Sequence, residues 1–345
     1  MPLHQIIQRL LLIGAHLETP VAPPVPTPPQ RLQPLIDSLA KAHREFDERA
    51  IRYGHRYRSG FWAIYLLSAI AVLCAMMPLA LGWDSVNNFM HPFAAVWVIA
   101  EVAVIATVGV IYWRGRRRDW QGEWLRARTV AELTFYLPLI APLVDLSKPH
   151  DESNWYLRVL NPGPHLRASR DIAQLCRITE PRARELLADA WSDPAFVSTY
   201  VEWSIGVLQS QRVYHARVAM RSHALQHRIH RVTACLFALT ALGALAHLVI
   251  HSRWLSLLTT VFPALAASLH GALAQSEAYR MHAASERVAL ELQAVIDEIR
   301  RSRVIEVHVP SAEPLQHAIR AAITLILDEH QDWHMLVRPH HLPLG

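Results

Sequence analysis

Glycine is scarce in this 345-residue chain, with 12 residues, which argues against a large β-barrel or β-solenoid rich in tight turns. Cysteine is scarcer still. Three residues, Cys74, Cys176 and Cys235, cannot build a disulfide framework, and no zinc-type CxxC spacing is present. Charge is also thin, at 18% against about 25% in an ordinary soluble domain. The chain has no GxxxxGK[ST], GxGxxG, GxSxG or HExxH motif. The nearest approach to the last, Asp328-Glu329-His330, lacks a second histidine at the required spacing. Nothing here points to a nucleotide hydrolase, a metalloprotease or any other enzyme, and no cofactor or metal is expected.

What the chain has is apolar length. Hydrophobic residues make up 52%, which rules out bulk disorder, and mean hydropathy is +0.14. Phe61–Trp83 runs 23 residues without a charged group. At about 1.5 Å per residue it reaches roughly 34 Å, enough for the hydrocarbon core of a bilayer. Pro92–Trp113 is a second such segment with one charge, Glu101. Val232–Ile250 and Trp254–Ala274 are a third and a fourth, joined by the turn His251-Ser252-Arg253. Trp62, Trp83, Trp113 and Trp254 stand at the ends as interfacial anchors. Pro78 and Pro263 are expected to kink their helices.

Arginine gives orientation. Of 34 Lys and Arg, one, Arg253, falls in the two short turns. Arg56 and Arg58 precede the first segment, Arg114, Arg116, Arg117 and Arg118 follow the second, and Arg228 and Arg231 precede the third. The positive-inside rule then places both termini and the middle segment in the cytoplasm of a bacterial inner membrane. This distribution accounts for the pI near 9.3. No clustered basic face with stacking aromatics suggests nucleic acid.

The sequence therefore predicts an all-α integral membrane protein, four transmembrane helices in two hairpins with long cytosolic helical extensions. Its parts are an N-terminal segment and proline-rich linker (1–34), a first helix–hairpin–helix unit (35–137), a connecting region (138–195), a second unit (196–303) and a C-terminal tail (304–345). Polar stalks are expected over 35–58, 116–137, 196–231 and 275–303, continuing the spans. In the last, Val288, Leu292, Val295 and Ile299 share one helical face. Residues 1–17 lack the basic n-region of a cleaved signal peptide. Seven prolines between 20 and 34 read as a polyproline-type linker. Between 138 and 180, Pro138, Pro142, Pro149, Pro162 and Pro164 are expected to break helices. Glu180-Pro181 is expected to open a short helix and Asp193-Pro194 a long one. Val304–Val309 reads as a short β stretch, before a helix from about Pro314 to Asp328.

The chemistry-bearing candidates are few. Glu101 is costly in a span, so it is expected to face the bundle interior or an aqueous path; a structural partner is the plainer alternative. His223, His227 and His230 share a helical face, read as a polar interfacial face in preference to a metal or pH site. His247 and His270 are also expected at the interface.

The run Trp120–Leu133, WQGEWLRARTVAEL, directly follows the first pair of apolar segments. With Trp124, Arg126, Arg128, Ala131, Glu132 and Leu133 it resembles the SLATT group, two-span effector domains of bacterial conflict systems. The lead-in, Phe46-Asp47, Ala50 and Tyr53-Gly54-His55-Arg56-Tyr57-Arg58, resembles the pre-hairpin segment of larger bacterial proteins in which a cytosolic nucleotide-sensing domain precedes the hairpins, and the later Phe262-Pro263-Ala264-Leu265 and Gln275-Ser276-Glu277 look related. The post-hairpin helices share a pattern within the chain, Arg128 to Leu133 beside Arg287 to Leu292. The resemblance implies a pore-forming or membrane-perturbing effector, oligomeric and gated by a cytosolic signal. No nucleotide-sensing domain is read before residue 35, so a separate cytosolic partner or residues 138–195 would supply the trigger. A non-conducting scaffold or sensor, its helices docking a soluble partner, is the alternative.

Overall fold

The structure, a computed structural model, describes residues 1–13, 20–85, 89–144, 170–187, 189–276, 278–306 and 313–336. Among these residues every regular element is helical. The helices are α1 (Leu3–Leu11), α2 (Gln33–Leu81), α3 (Ala94–Arg117), α4 (Trp120–Ile140), α5 (Arg170–Leu187), α6 (Pro194–His247), α7 (Arg253–Gln275), α8 (Ala278–Glu306) and α9 (Glu313–Leu336). Pro149, Pro162, Pro164 and the end of the expected β stretch, residues 307–309, lie outside the described residues.

The helices that lead into apolar segments are continuous. Stalk and span are one helix of 49 residues in α2 and of 54 in α6, the latter opening at Pro194 as expected. The helices that leave are not continuous, contrary to expectation. The first breaks between α3 and α4, where Asp119 takes φ +41 and accepts a bond from the Gly122 N–H at 3.2 Å. That carboxylate meets an orphan donor of the first turn of α4. The second breaks after Gln275, where the Ser276 hydroxyl and amide satisfy carbonyls of the last turn of α7.

The chain divides into two compact units, each drawing on both halves of the sequence. One comprises Glu18–Ile51, Glu123–Ala219 and Ala283–Gly345. Its core takes Leu35 and Leu39 from α2, Val130, Leu133 and Leu137 from α4, Tyr200 and Leu208 from α6, Val288, Leu292, Ile296 and Ile299 from α8, and Leu315, Ile319 and Ile323 from α9. The three- and four-residue spacing puts each set on one helical face. Val295, expected on that face of α8, is half-buried at its edge, and Ile296 takes the buried position.

Burial overrides three local signals here. Pro138 does not end α4, because Leu137, Leu139 and Ile140 sit fully buried around and beyond it. Pro181 lies inside α5 and not at its start, with Thr179 and Ala183 buried on either side. Val304 to Glu306 extend α8 as helix, because strand propensity is weak against continuation of a packed helix. The carbonyls where α4 ends are met by side chains: Tyr200 Oη donates to Leu139 O at 2.7 Å, Trp191 Nε1 to Pro142 O at 2.5 Å, and Arg320 Nη2 to Leu143 O at 3.3 Å.

The proline-rich segment has no regular structure up to Pro29, as expected, but it is a strap seated on α6. Arg217 Nη2 donates to Pro20 O at 2.9 Å, and Arg31 pairs with Asp193 at 3.2 Å. Between them Pro26 lies against Gly206, where any Cβ would collide with the proline ring.

The other unit comprises Met1–Leu17, Arg52–Gly122 and Met220–His282 and holds the apolar segments. Its smaller core joins Phe61 and Trp62 of α2, Leu225 and Ile229 of α6, and Leu269, Ala272 and Leu273 of α7, with Ile7 and Leu11 of α1 against it. Gly82, at φ +72, closes α2. Trp83 N–H bonds Pro78 O at 2.8 Å and Gly82 N–H bonds Leu79 O at 3.1 Å, the paired bonds of a left-handed helix cap. The helix thus ends at Leu81, two residues before the expected Trp83.

Candidate membrane-spanning site

Among the described residues, four helices are long and apolar enough to cross a membrane. The most apolar windows, in α2 and α3, have mean hydropathy 2.3. They differ in burial: 17% of the window in α2 is buried, against none in α3. Val96, Ile99, Val102, Ile105 and Val110 of α3 are all more than half exposed. Such a face is stable only against lipid or another apolar surface.

The half-buried residues of α3 form one stripe: Ala94, Trp97, Ala100, Glu101, Val104, Val108, Ile111, Tyr112 and Gly115. Their spacing is that of a single helical face. Glu101 therefore sits on the half-buried side of α3, and it makes no ion pair among the described residues. At the basic end of that stripe the indole of Trp120 packs on two glycines. A Cβ at Gly60 of α2 would lie 3.2 Å from it and one at Gly115 of α3 3.3 Å. The sequence reading passed over this contact; glycines within helices, one just before a span, were the available signal.

Arg58 Nε donates to Gly54 O at 3.2 Å, and Arg116 to the Tyr112 hydroxyl at 3.2 Å. Arg56 lies over the Tyr53 ring at 5.6 Å and Arg117 over Trp113 at 5.0 Å. Arg114, Arg118 and Arg231 are exposed and Arg228 half-buried. Guanidinium groups laid on aromatic rings suit a headgroup layer.

The motif residues of α4 lie in the other unit and are ionic. Glu123 pairs with both Arg49 and Arg126, and Arg128 pairs with Glu132. Burial works against the Arg128 charge, but Glu132, Tyr214, Asp47 and Tyr136 more than offset it and hold its pKa above the ordinary arginine value. Trp124 is half-buried. Leu133 and its repeat counterpart Leu292 are both core residues.

The histidine face is brought together with partners that sequence did not foresee. His223 lies 4.5 Å from His227 and 4.9 Å from His282 of α8, ring to ring. His230 bonds the Tyr279 hydroxyl and lies 5.7 Å from His270. Among the described residues no group of three or more His, Cys, Asp or Glu is arranged to hold a metal ion. A further histidine pair involves α1. His4 is buried, 5.3 Å from His55, and its Nδ1 meets Ser59 Oγ at 3.0 Å.

No family model, curated protein or solved structure matches the chain.

Proposed function

We propose that the four apolar helices cross a bacterial inner membrane as two hairpins, with both termini and the helical bundle in the cytoplasm. In this reading the protein is a pore-forming or membrane-perturbing effector. It works as a homo-oligomer, and a cytosolic signal, delivered through a partner of the bundle, opens it. The observation that carries the reading is α3. Its apolar window buries nothing, while its single carboxylate, Glu101, sits on the one half-buried stripe. A carboxylate in lipid costs at least about 2.5 kcal/mol on insertion scales, so it seeks water, a cation or a partner. A pore supplies the first two. The basic residues support the orientation, since 33 of 34 fall outside the two turns.

The test is flux through reconstituted protein with Glu101→Gln, which removes the charge and keeps the shape. A change in cation selectivity with unchanged insertion supports the pore. Lower folded yield with no flux in either protein supports the non-conducting scaffold. A reporter fused after Gly345 that is active only in the periplasm would overturn the orientation.

A further inference from the structure

The N-terminal helix α1 has three faces. His4, Ile7 and Leu11 face the protein: His4 is buried and the two aliphatic residues pack on the small core. Gln5, Gln8 and Arg9 lie together on a polar arc, given 100° per residue. Leu3, Ile6 and Leu10 form a third, apolar row, with Ile13 just beyond the helix; they are 40%, 42%, 62% and 68% exposed. The apolar arc of this helix is therefore about twice as wide as the protein covers. Half of it is docked, and half has no partner among the described residues.

The position of α1 tells what covers the other half. Its contacts on α2 are His55 and Ser59, six and two residues before Phe61. That is about 3–9 Å along the helix axis from the first apolar residue. The headgroup layer on each side of a 30 Å hydrocarbon core is roughly 5–8 Å deep. Arg9 on this helix and Arg56 beside His55 are exposed, and Arg221 donates to Gln8 Oε1 at 3.2 Å. Like charges on each copy disfavour a second copy of this surface as the occupant and favour anionic phosphates.

We infer that α1 is an interfacial helix, its uncovered row of Leu3, Ile6 and Leu10 seated at the headgroup–acyl boundary of an anionic bilayer beside the entry of α2. This rests on the spanning reading above. The helix lies in the surface and does not cross it; nine residues are too few. Docking to α2 fixes it at one depth, and of its polar arc Arg9 is exposed while Gln5 and Gln8 are half-buried.

The experiment places a spin label at one site of the full chain, free of its own cysteines (Cys74→Ala, Cys176→Ala, Cys235→Ala). The protein is reconstituted in phosphatidylcholine–phosphatidylglycerol vesicles, and collision with oxygen and with a water-soluble nickel complex is measured. Labels go at Leu10→Cys in the apolar row, Gln5→Cys in the polar arc and Ile99→Cys in α3. The proposal expects oxygen to dominate at Leu10 with a shallow depth, nickel to dominate at Gln5, and a deep position for Ile99. If Leu10 is as open to nickel as Gln5 while Ile99 is deep, the chain spans the membrane and the proposal for α1 fails. Shielding of Leu10 from both reagents, with spin coupling that vanishes on dilution with unlabelled protein, assigns the row to a second copy and also overturns it. An aqueous Ile99 overturns the spanning reading itself.

Discussion

Arg253 reaches Asp84: its Nη1 lies 3.8 Å from Oδ1, joining the turn between α6 and α7 to the segment just after α2. Arg253 is the one basic residue of the two turns, and its guanidinium also fills the space beside Gly82, where φ is +72. Both partners are about half exposed, so the pair is worth little as an ion pair, at most about 1 kcal/mol. Arg253→Ala and Asp84→Asn should each move the melting temperature only slightly, and a double-mutant cycle should return a coupling below about 1 kcal/mol. Gly82→Val should cost more than either, because it places a β-branched residue in a left-handed cap and against Arg253. Equal losses for all three would contradict this ordering.

Tyr200 is fully buried, and its hydroxyl satisfies the Leu139 carbonyl where α4 ends. Burial holds its pKa above the ordinary tyrosine value. Tyr200→Phe leaves that carbonyl without its donor in a dry core, which should lower stability by about 1–3 kcal/mol. Denaturant unfolding in mild detergent would measure it. A neutral result would mean that water or another donor takes over.

His4 gives a pH dependence with a definite sign. Burial, then Arg58, His55 and Arg221, lowers its pKa from 6.5 to about 4. The docked state holds the neutral imidazole, so its contribution is complete above pH 6.5 and is lost progressively as pH falls toward 4. His55, shifted the same way by burial and Arg58, adds to the slope. Hydrogen exchange of α1 between pH 7 and 4 should show progressive release, and His4→Asn should flatten the profile without abolishing it. A steeper profile in the variant would reverse the assignment.

Gly206 is the seat of the proline strap. Gly206→Ala and Gly206→Leu should both lift Pro26 away from α6, because the ring cannot yield as a flexible side chain would. A label at Thr27→Cys should be held in the parent and mobile in both variants. Stability should fall by about 1–3 kcal/mol, as for other overpacked sites. An unchanged label in the leucine variant would show that the strap is held by its two arginine contacts alone.

The apolar segments were legible because each is long, nearly uncharged and bounded by arginine or tryptophan. The unbroken α2 was also legible, since no proline or glycine interrupts 35–53. The half-buried stripe of α3 follows from spacing alone once Glu101 is set on it. What escaped depended on distant partners. The break at Asp119, φ +41, was only weakly announced: aspartate favours helix N-caps and visits the left-handed region, but the run on either side reads as continuing helix. Pro138 and Pro181 read as breaks until the buried residues around them are counted. The strap on Gly206 and the stacking of Trp120 on Gly60 and Gly115 depend on the folded chain and not on any local pattern. His4, Ile7 and Leu11 had the spacing of a docked face, but their polar and apolar neighbours hid it.

In the proposed membrane setting, the bare face of α3 has a consequence for how the protein answers to its bilayer. A helix held by packing takes its tilt from its neighbours, whereas one that buries nothing takes it from the thickness of the surrounding hydrocarbon. The apolar run of α3, Ala94–Trp113, reaches about 30 Å, the thickness of an average core of about 30 Å. In that setting a thinner bilayer leaves an excess, which is taken up by tilt about the Trp120 contact at its cytoplasmic end. Tilt displaces Glu101, some 16 residues from that end, sideways by several ångströms. Membrane thickness then acts on the position of the carboxylate without any ligand binding at all.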